Sequence, residues 1–171
     1  LNKPVPVFSP EDLLVYLCLH GGKHNWREFK QVCDLAQVIA RYPALNWDRV
    51  ATEAAEAGCG RMLRVGLRLA HGLLRSEVPA DVQRSVAADA VALALADEAA
   101  LALFTPPAAP FYAGEWYALR LLESQRERTR YCANKALTQL LRRPLLGGWV
   151  EQDDGPRTVP AGRPARTGGR A

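Results

Sequence analysis

The sequence predicts an all-α fold, a compact bundle of about six helices. Apolar residues recur three and four positions apart through most of the chain before residue 143, which is the spacing of one helix face. Alternation with a period of two, typical of a strand, is found only in the V-P-V-F segment at residues 5–8. Glycine, proline and capping residues divide the remainder into segments of helical length.

The first helix is expected from about residue 10 to residue 20. Ser9 is a strong N-cap because its hydroxyl can accept a hydrogen bond from an early backbone amide, and Pro10 suits the first turn. Gly21 and Gly22 are expected to end the helix, because glycine is unfavourable inside a helix and favourable at its C-cap. The side chains at one-face spacing are Leu13, Leu14, Leu17 and Cys18.

Five further helices are predicted, over about residues 25–42, 46–57, 61–74, 79–104 and 115–142. Pro43 stops the second helix and Asn46 caps the third. The proline-rich stretch at residues 105–110 predicts a loop. The predicted inner face of the second helix is Trp26, Phe29, Cys33, Ala36 and Ala40. The predicted inner face of the fourth is Met62, Leu63, Gly66, Leu69, Ala70 and Leu73.

The chain divides into three parts by composition. Residues 1–8 are expected to be a strand or linker left from an N-terminal domain, because the V-P-V-F segment has no partner strand downstream. Residues 9–143 form the predicted helical domain. Residues 144–171 hold six of the 13 glycines and four of the 12 prolines, and such an Arg/Gly/Pro tail is expected to be disordered because it has little apolar surface to bury.

Charge, hydropathy and cysteine usage exclude several classes. The net charge is +4, but residues 142–171 carry six arginines against three acidic residues, so the remainder is nearly neutral. That argues against a globular surface built for bulk attraction to nucleic acid or to anionic lipid. Apolar runs are too short to span a bilayer. The four widely spaced cysteines predict reduced, buried thiols and a cytoplasmic protein.

The segment H-G-G-K-H-N-W at residues 20–26 carries the candidate chemistry. His20 and His24, four residues apart, could bind one metal ion from a continuous helix. The Gly-Gly pair is expected to break that helical register, so a turn with backbone-bonded imidazoles is the favoured alternative. A phosphate contact is a further hypothesis, placed ahead of the metal site, in which Lys23 and Lys30 meet an anion near the positive end of the second helix.

Two basic stripes have ordinary alternatives. The first stripe has six residues, expected on one side of the second helix. They could form the phosphate contact or, as an ordinary alternative, a solvated helix face with an i, i+4 ion pair between Lys30 and Asp34. They are Lys23, Arg27, Lys30, Asp34, Gln37 and Arg41. The second stripe could be an RNA or phosphate track, but without interleaved aromatic residues a solvated face is favoured. Its members are Arg61, Arg64, Arg68, His71 and Arg75.

About residues 5–104 resemble the helical C-terminal region of the uncharacterised nucleotidyltransferase family of bacteria. The linked motifs are S-P-E-D-L-L, L-H-G-G-K-H-N-W, D-L-A, N-W-D and L-R-L-A-H-G-L-L, followed by a V-P turn. Family members look like polymerase-β-type enzymes, in which an N-terminal α/β domain holds Mg²⁺ and a nucleoside triphosphate through a Gly-Ser turn and an Asp-x-Asp pair. This sequence contains neither motif.

The resemblance implies an enzyme in two parts, with nucleotidyl transfer to an unknown acceptor and with catalytic residues that this chain does not supply. The chain alone is therefore expected to be inactive. The resemblance also implies that Lys23, His24 and Lys30 face a cleft at the domain junction, that Asp34 orients Lys30, and that Trp26 packs between helices. Mg²⁺ and the nucleotide would be held by the other domain.

A non-enzymatic helical adaptor is the alternative. Six helices without catalytic residues also describe a domain that binds a protein or nucleic-acid partner through one face. The stripe at residues 61–75 and the basic tail would then form its contacts. Nucleic-acid binding is less favoured by the charge distribution, and no membrane association is expected.

Overall fold

The computed structural model describes residues 7–105 and 112–142, and within these ranges it contains eight helices and no strand. The all-α prediction is confirmed, whereas the expected number of helices was two too small. None of the eight helices is long and apolar enough to cross a membrane. The helices are α1 (Pro10–Lys23), α2 (Phe29–Arg41), α3 (Trp47–Glu56), α4 (Gly60–Leu74), α5 (Ala80–Ala87), α6 (Ala90–Phe104), α7 (Tyr112–Leu121) and α8 (Gln125–Arg142).

Helix α4 is the centre of the bundle. It packs against α1, α2 and α6, with α3 and α5 also in contact. Its predicted inner face is confirmed except that Leu73 is only partly buried. The largest fully buried side chain is Trp26, which lies against Gly21 of α1 and Gly66 of α4. The predicted position of Trp26 between helices is therefore confirmed.

Two local capping groups explain the two additional helices. The segment expected as one helix over residues 79–104 divides at Asp89, whose carboxylate accepts hydrogen bonds from the amides of Val91 and Ala92 and so starts α6. The segment expected over residues 115–142 divides before Ser124. The Ser124 hydroxyl accepts from the amide of Glu127, and the Glu127 carboxylate accepts from the amide of Ser124.

Gly21 and Gly22 do not end α1, which continues to Lys23. The prediction was wrong because tertiary packing requires glycine here. A Cβ on Gly21 would lie 2.5 Å from Cζ3 of Trp26, and one on Gly22 would lie 2.6 Å from Cγ of Met62. The N-terminal prediction is confirmed: Ser9 and Asp12 form a capping box, with Pro10 in the first turn.

The second helix starts at Phe29 rather than near residue 25, and its predicted inner face is wrong. Phe29 is 39% exposed, Ala40 is exposed, and Cys33 and Ala36 are only partly buried. The side chains that α2 buries are Gln31, Val32, Leu35, Val38 and Ile39. The helix is thus rotated relative to the prediction, because Trp26 belongs to the preceding turn and does not set the helix face.

Several predictions fall partly or wholly outside the described residues: most of the strand at 5–8, the loop at 105–110 and the tail at 144–171. Residues 7 and 8 do not form a strand, and Phe8 instead stacks on Tyr16 with ring centroids 5.5 Å apart. The prediction of buried thiols is confirmed for Cys18 and Cys59, is met only in part for Cys33, which is partly buried, and is wrong for Cys132, which is exposed.

Candidate functional site: a cationic cleft

A cleft of about 240 Å³ lies between the turn that joins α1 to α2 and the helices α7 and α8. Its walls are mostly polar. The residues that line it are Lys23, His24, Asn25, Arg27, Gly114, Glu115, Ala118, Tyr131 and Lys135.

The α1–α2 turn is held by two consecutive residues in the left-handed region of the backbone. Asn25 has φ 54° and Trp26 has φ 51°, a conformation that is unfavourable for a bulky residue such as tryptophan. Burial of the Trp26 ring compensates, and its backbone amide donates to the carbonyl of Gly21 at 2.8 Å. This anchor fixes the turn and leaves Lys23, His24 and Arg27 exposed at the cleft.

The turn is tied to the opposite wall. The Asn25 side-chain amide donates to the carbonyl of Gly114 at 3.2 Å. Gly114 also allows a close approach of Arg27, because a Cβ at position 114 would lie 2.6 Å from Nη2 of Arg27. These two contacts bring a segment near residue 25 and a segment near residue 114 to the same site.

The second wall contains one carboxylate, Glu115, between two donors. Glu115 accepts a 2.8 Å hydrogen bond from the Tyr131 hydroxyl and is paired with the Lys135 ammonium. The Lys135 and Tyr131 hydrogen bonds hold the pKa of Glu115 below its ordinary value. Burial and the neighbouring carboxylate raise the pKa of Tyr131 to about 12. At neutral pH the wall therefore presents a charged carboxylate and a neutral phenol.

The cleft has an excess of positive charge. Lys23, Arg27 and Lys135 line it, against the single acid Glu115. Within the described residues, Lys23 and Arg27 form no salt bridge, so their charge is available to a ligand. Cations that converge in a recess, together with amide and hydroxyl groups, favour an anion such as a phosphate.

Lys30 and Asp34 lie elsewhere. They form an i, i+4 ion pair at 2.7 Å on α2, with Lys30 largely exposed, and neither lines the cleft. The hydrogen bond with Asp34 raises the pKa of Lys30. The proposed single stripe is corrected, because Lys23 is in α1 and Arg27 is in the turn. Of the four predicted binding residues, the cleft contains Lys23 and His24.

His20 and His24 lie closer than the sequence predicted. Because α1 continues through both glycines, the two imidazoles remain in helical register with ring centroids 4.6 Å apart. The expectation that the Gly-Gly pair would separate them was wrong. In the part of the chain that the structure describes, no group of three or more His, Cys, Asp or Glu side chains is placed to hold a metal ion.

The stripe that starts at Arg61 is partly internal. Arg61 and Arg64 both bind the Asp89 carboxylate, at 3.1 and 3.0 Å, and Arg61 also donates to the carbonyl of Arg120 at 2.9 Å. Burial raises the pKa of Asp89, but hydrogen bonds from the Ala92 amide and from the two arginines outweigh it, and the pKa is lowered overall. These two arginines join α4 to α6 and α7, so the predicted solvated or nucleic-acid-binding face is wrong for them.

A family model described as "Uncharacterised nucleotidyltransferase" matches residues 1–75. The first 75 residues match this family. The resemblance to this family, predicted over about residues 5–104, is confirmed up to residue 75, which includes α1 to α4 and the turn that forms one wall of the cleft. Residues 76–104 lie outside the match. Helices α7 and α8, which form the other wall, lie beyond the match to the nucleotidyltransferase family. No curated protein and no solved structure matches the chain.

Sequence reasoning did not find the second wall of the cleft. Gly114, Glu115, Tyr131 and Lys135 lie about 90 to 110 positions after the turn they face, and no local pattern links such distant segments. The one available signal was Asn25, because asparagine is the residue that most readily accepts a left-handed turn position after glycine.

Proposed function

We propose that this helical domain belongs to a nucleotidyltransferase and binds the polyphosphate of a nucleoside triphosphate, or a phosphorylated acceptor, in the cationic cleft. The observation that carries the proposal is the convergence of Lys23, Arg27 and Lys135 on one recess that contains a single carboxylate. The family match over the turn supports assignment of this recess to the substrate side of the reaction.

In this proposal the carboxylates that hold Mg²⁺ are supplied by a separate α/β domain. Nucleotidyl transfer needs metal ions to neutralise charge on the attacking and leaving oxygens. Among the described residues, no group of three or more His, Cys, Asp or Glu side chains is placed to hold such an ion. The role of this domain is binding and orientation. Lys23 and Arg27 contact the phosphates, and the Glu115–Lys135 pair positions the Lys135 ammonium beside them.

The test is a calorimetric titration of the chain with tripolyphosphate, at low ionic strength and without added metal. Weak binding is expected, and Lys23→Ala should weaken it about fivefold, because loss of one exposed charge-assisted contact costs about 1 kcal/mol. Arg27→Ala should have a similar effect. Arg84→Ala is the matched control, since Arg84 is an exposed cation on α5 that does not line the cleft.

Two results would count against the proposal: no binding of tripolyphosphate, or equal losses for Lys23→Ala and Arg84→Ala, which would indicate attraction to net charge alone. Lys30→Ala separates the sequence hypothesis from the cleft. Because Lys30 is paired with Asp34 outside the recess, a small effect is expected. A loss as large as that of Lys23→Ala would mean that the two lysines act together.

The adaptor alternative is not favoured. Its predicted contact surface began with Arg61 and Arg64, and both guanidinium groups are paired with Asp89 at the partly buried junction of α4 and α6.

A further inference from the structure

His20 and His24 place two imidazoles side by side at the C-terminal end of α1. The backbone amide of His24 donates to the carbonyl of His20 at 3.2 Å, so the helical register continues through Gly21 and Gly22. The two ring centroids are 4.6 Å apart, and the ring planes meet at 53°. Both residues are exposed. Because side chains four apart lie on the same side of a helix, one ligand can reach both rings from solvent.

The ring nitrogens of this pair have no hydrogen-bond partner among the described residues. The chain has three histidines, and of these only His71 forms a ring hydrogen bond in the described ranges, with the carbonyl of Ser76 at 3.0 Å. Tyr16 stacks on His20 with an interplanar angle of 20°. Stacking covers a ring face, whereas the nitrogen lone pairs lie in the ring plane at its edge. The contact with Tyr16 therefore orients the imidazole without occupying its nitrogens.

We propose that His20 and His24 bind one divalent transition-metal ion of the Ni²⁺ or Cu²⁺ type. Imidazole is a common ligand of these ions, whereas Mg²⁺ prefers oxygen, so this site differs from one built of carboxylates for Mg²⁺. Metal–nitrogen bonds of about 2.0–2.1 Å place each ring centroid about 3.2 Å from the ion, so two rings at a right angle around it have centroids about 4.5 Å apart. The observed 4.6 Å matches this arrangement, which is that of square-planar and tetragonal complexes.

The bound ion lies at the edge of the cationic cleft, because His24 also lines that cleft. Water fills the coordination positions that two imidazoles leave open, and an oxyanion held by Lys23 and Arg27 can replace one of these waters. Lys23 is exposed, and although its charge opposes a cation, repulsion between exposed charges is screened by water and salt. The metal site goes beyond the proposed function and does not require it.

The experiment is a calorimetric titration of the full chain with Ni²⁺. All variants carry Cys132→Ser, because the exposed Cys132 thiol could also bind the ion. His20→Ala and His24→Ala should each weaken Ni²⁺ binding at least about tenfold, since chelation makes the second contact intramolecular. His71→Ala is the matched control and should leave the affinity unchanged. Saturating Ni²⁺ should also raise Tm in the background protein but not in His20→Ala, because the unfolded chain does not hold the two rings together.

Equal Ni²⁺ affinities for the background protein, His20→Ala and His24→Ala would overturn the site, as would a loss in His71→Ala as large as that in His20→Ala. Lys23→Ala separates the metal site from the phosphate contact. It should weaken tripolyphosphate binding but leave Ni²⁺ binding unchanged or tighter, and weaker Ni²⁺ binding would contradict the assignment of the ion to the two imidazoles. The tripolyphosphate titration contains no metal, so either proposal can fail while the other stands.

Discussion

Substitution of Gly66 by alanine tests whether Trp26 fixes the architecture at the cleft. A Cβ on Gly66 would lie 2.7 Å from Cη2 and 2.9 Å from Cζ2 of the Trp26 ring, and 3.0 Å from Cδ2 of Leu35. The ring cannot move away easily, because its other side faces Gly21 at a similar distance. Overpacking of this kind typically costs about 1–3 kcal/mol.

Gly72→Ala is the matched control in the same helix. A Cβ on Gly72 would meet no heavy atom within 4 Å, so this substitution should stabilise the protein by about 0.5–1 kcal/mol through the higher helix propensity of alanine. Gly66→Ala gains a similar propensity term. The difference between the two variants therefore measures the clash alone, about 1–3 kcal/mol in favour of Gly72→Ala.

Urea unfolding followed by circular dichroism measures both free energies, with the slope of the transition compared to check that the denatured state is unchanged. For a chain of this size the difference should also appear as about 2–4 °C in Tm for each kcal/mol. Equal stabilities for Gly66→Ala and Gly72→Ala would refute the reasoning, because they would mean that the Trp26 ring is not confined between α1 and α4.

Two further predictions follow from Asp89 and from the cysteines. Asp89→Asn keeps an N-cap but removes the charge that Arg61 and Arg64 bind, and should cost about 1–3 kcal/mol, less than a fully buried pair because solvent reaches the site. The pKa of Asp89 is lower in the folded protein than in the unfolded chain. The ionised Asp89 therefore contributes to the free energy of unfolding at pH values above the unfolded-state pKa, and this contribution is lost as the pH falls through the folded-state pKa. Acid unfolding of the wild type should therefore contain a component absent from Asp89→Asn, and coincident pH profiles would contradict this. With Ellman's reagent, exposed Cys132 should react within seconds, whereas buried Cys18 should react only on unfolding. Burial, and to a smaller extent the nearby Cys59, raise the pKa of the Cys18 thiol. Equal reaction rates of the two thiols in the native protein would contradict the burial of Cys18.

Local chemistry predicted the capped starts of α1 and α3 well, but it missed other helix starts and the buried face of α2. Ser9 and Asn46 cap α1 and α3 as expected, because an N-cap depends only on a side chain and the amides that follow it. The Asp89 cap is equally local, but the surrounding alanines favour an uninterrupted helix and so predict none at this position. The spacing of apolar residues does not by itself determine which face of α2 is buried. That face depends on the turn at Asn25 and Trp26, which sets the direction and rotation of the helix.

The predictions at Gly21 and Gly22 failed for a physical reason that also explains the cleft. Helix propensity assigns two adjacent glycines to a helix end, but here the absence of Cβ atoms lets Trp26 and Met62 approach the backbone of α1. The helix continues to Lys23, and after His24 the chain reverses through left-handed Asn25 and Trp26. The same packing therefore places the His20 ring near His24 and leaves Lys23 and Arg27 at the cleft that Glu115 also lines. The cleft is a consequence of how the core accommodates one tryptophan, and a change that displaces the Trp26 ring should alter ligand binding as well as stability. Gly66→Ala should consequently weaken tripolyphosphate binding in calorimetry, whereas Gly72→Ala should not; unchanged affinity in a destabilised but folded Gly66→Ala protein would separate the cleft from the tryptophan.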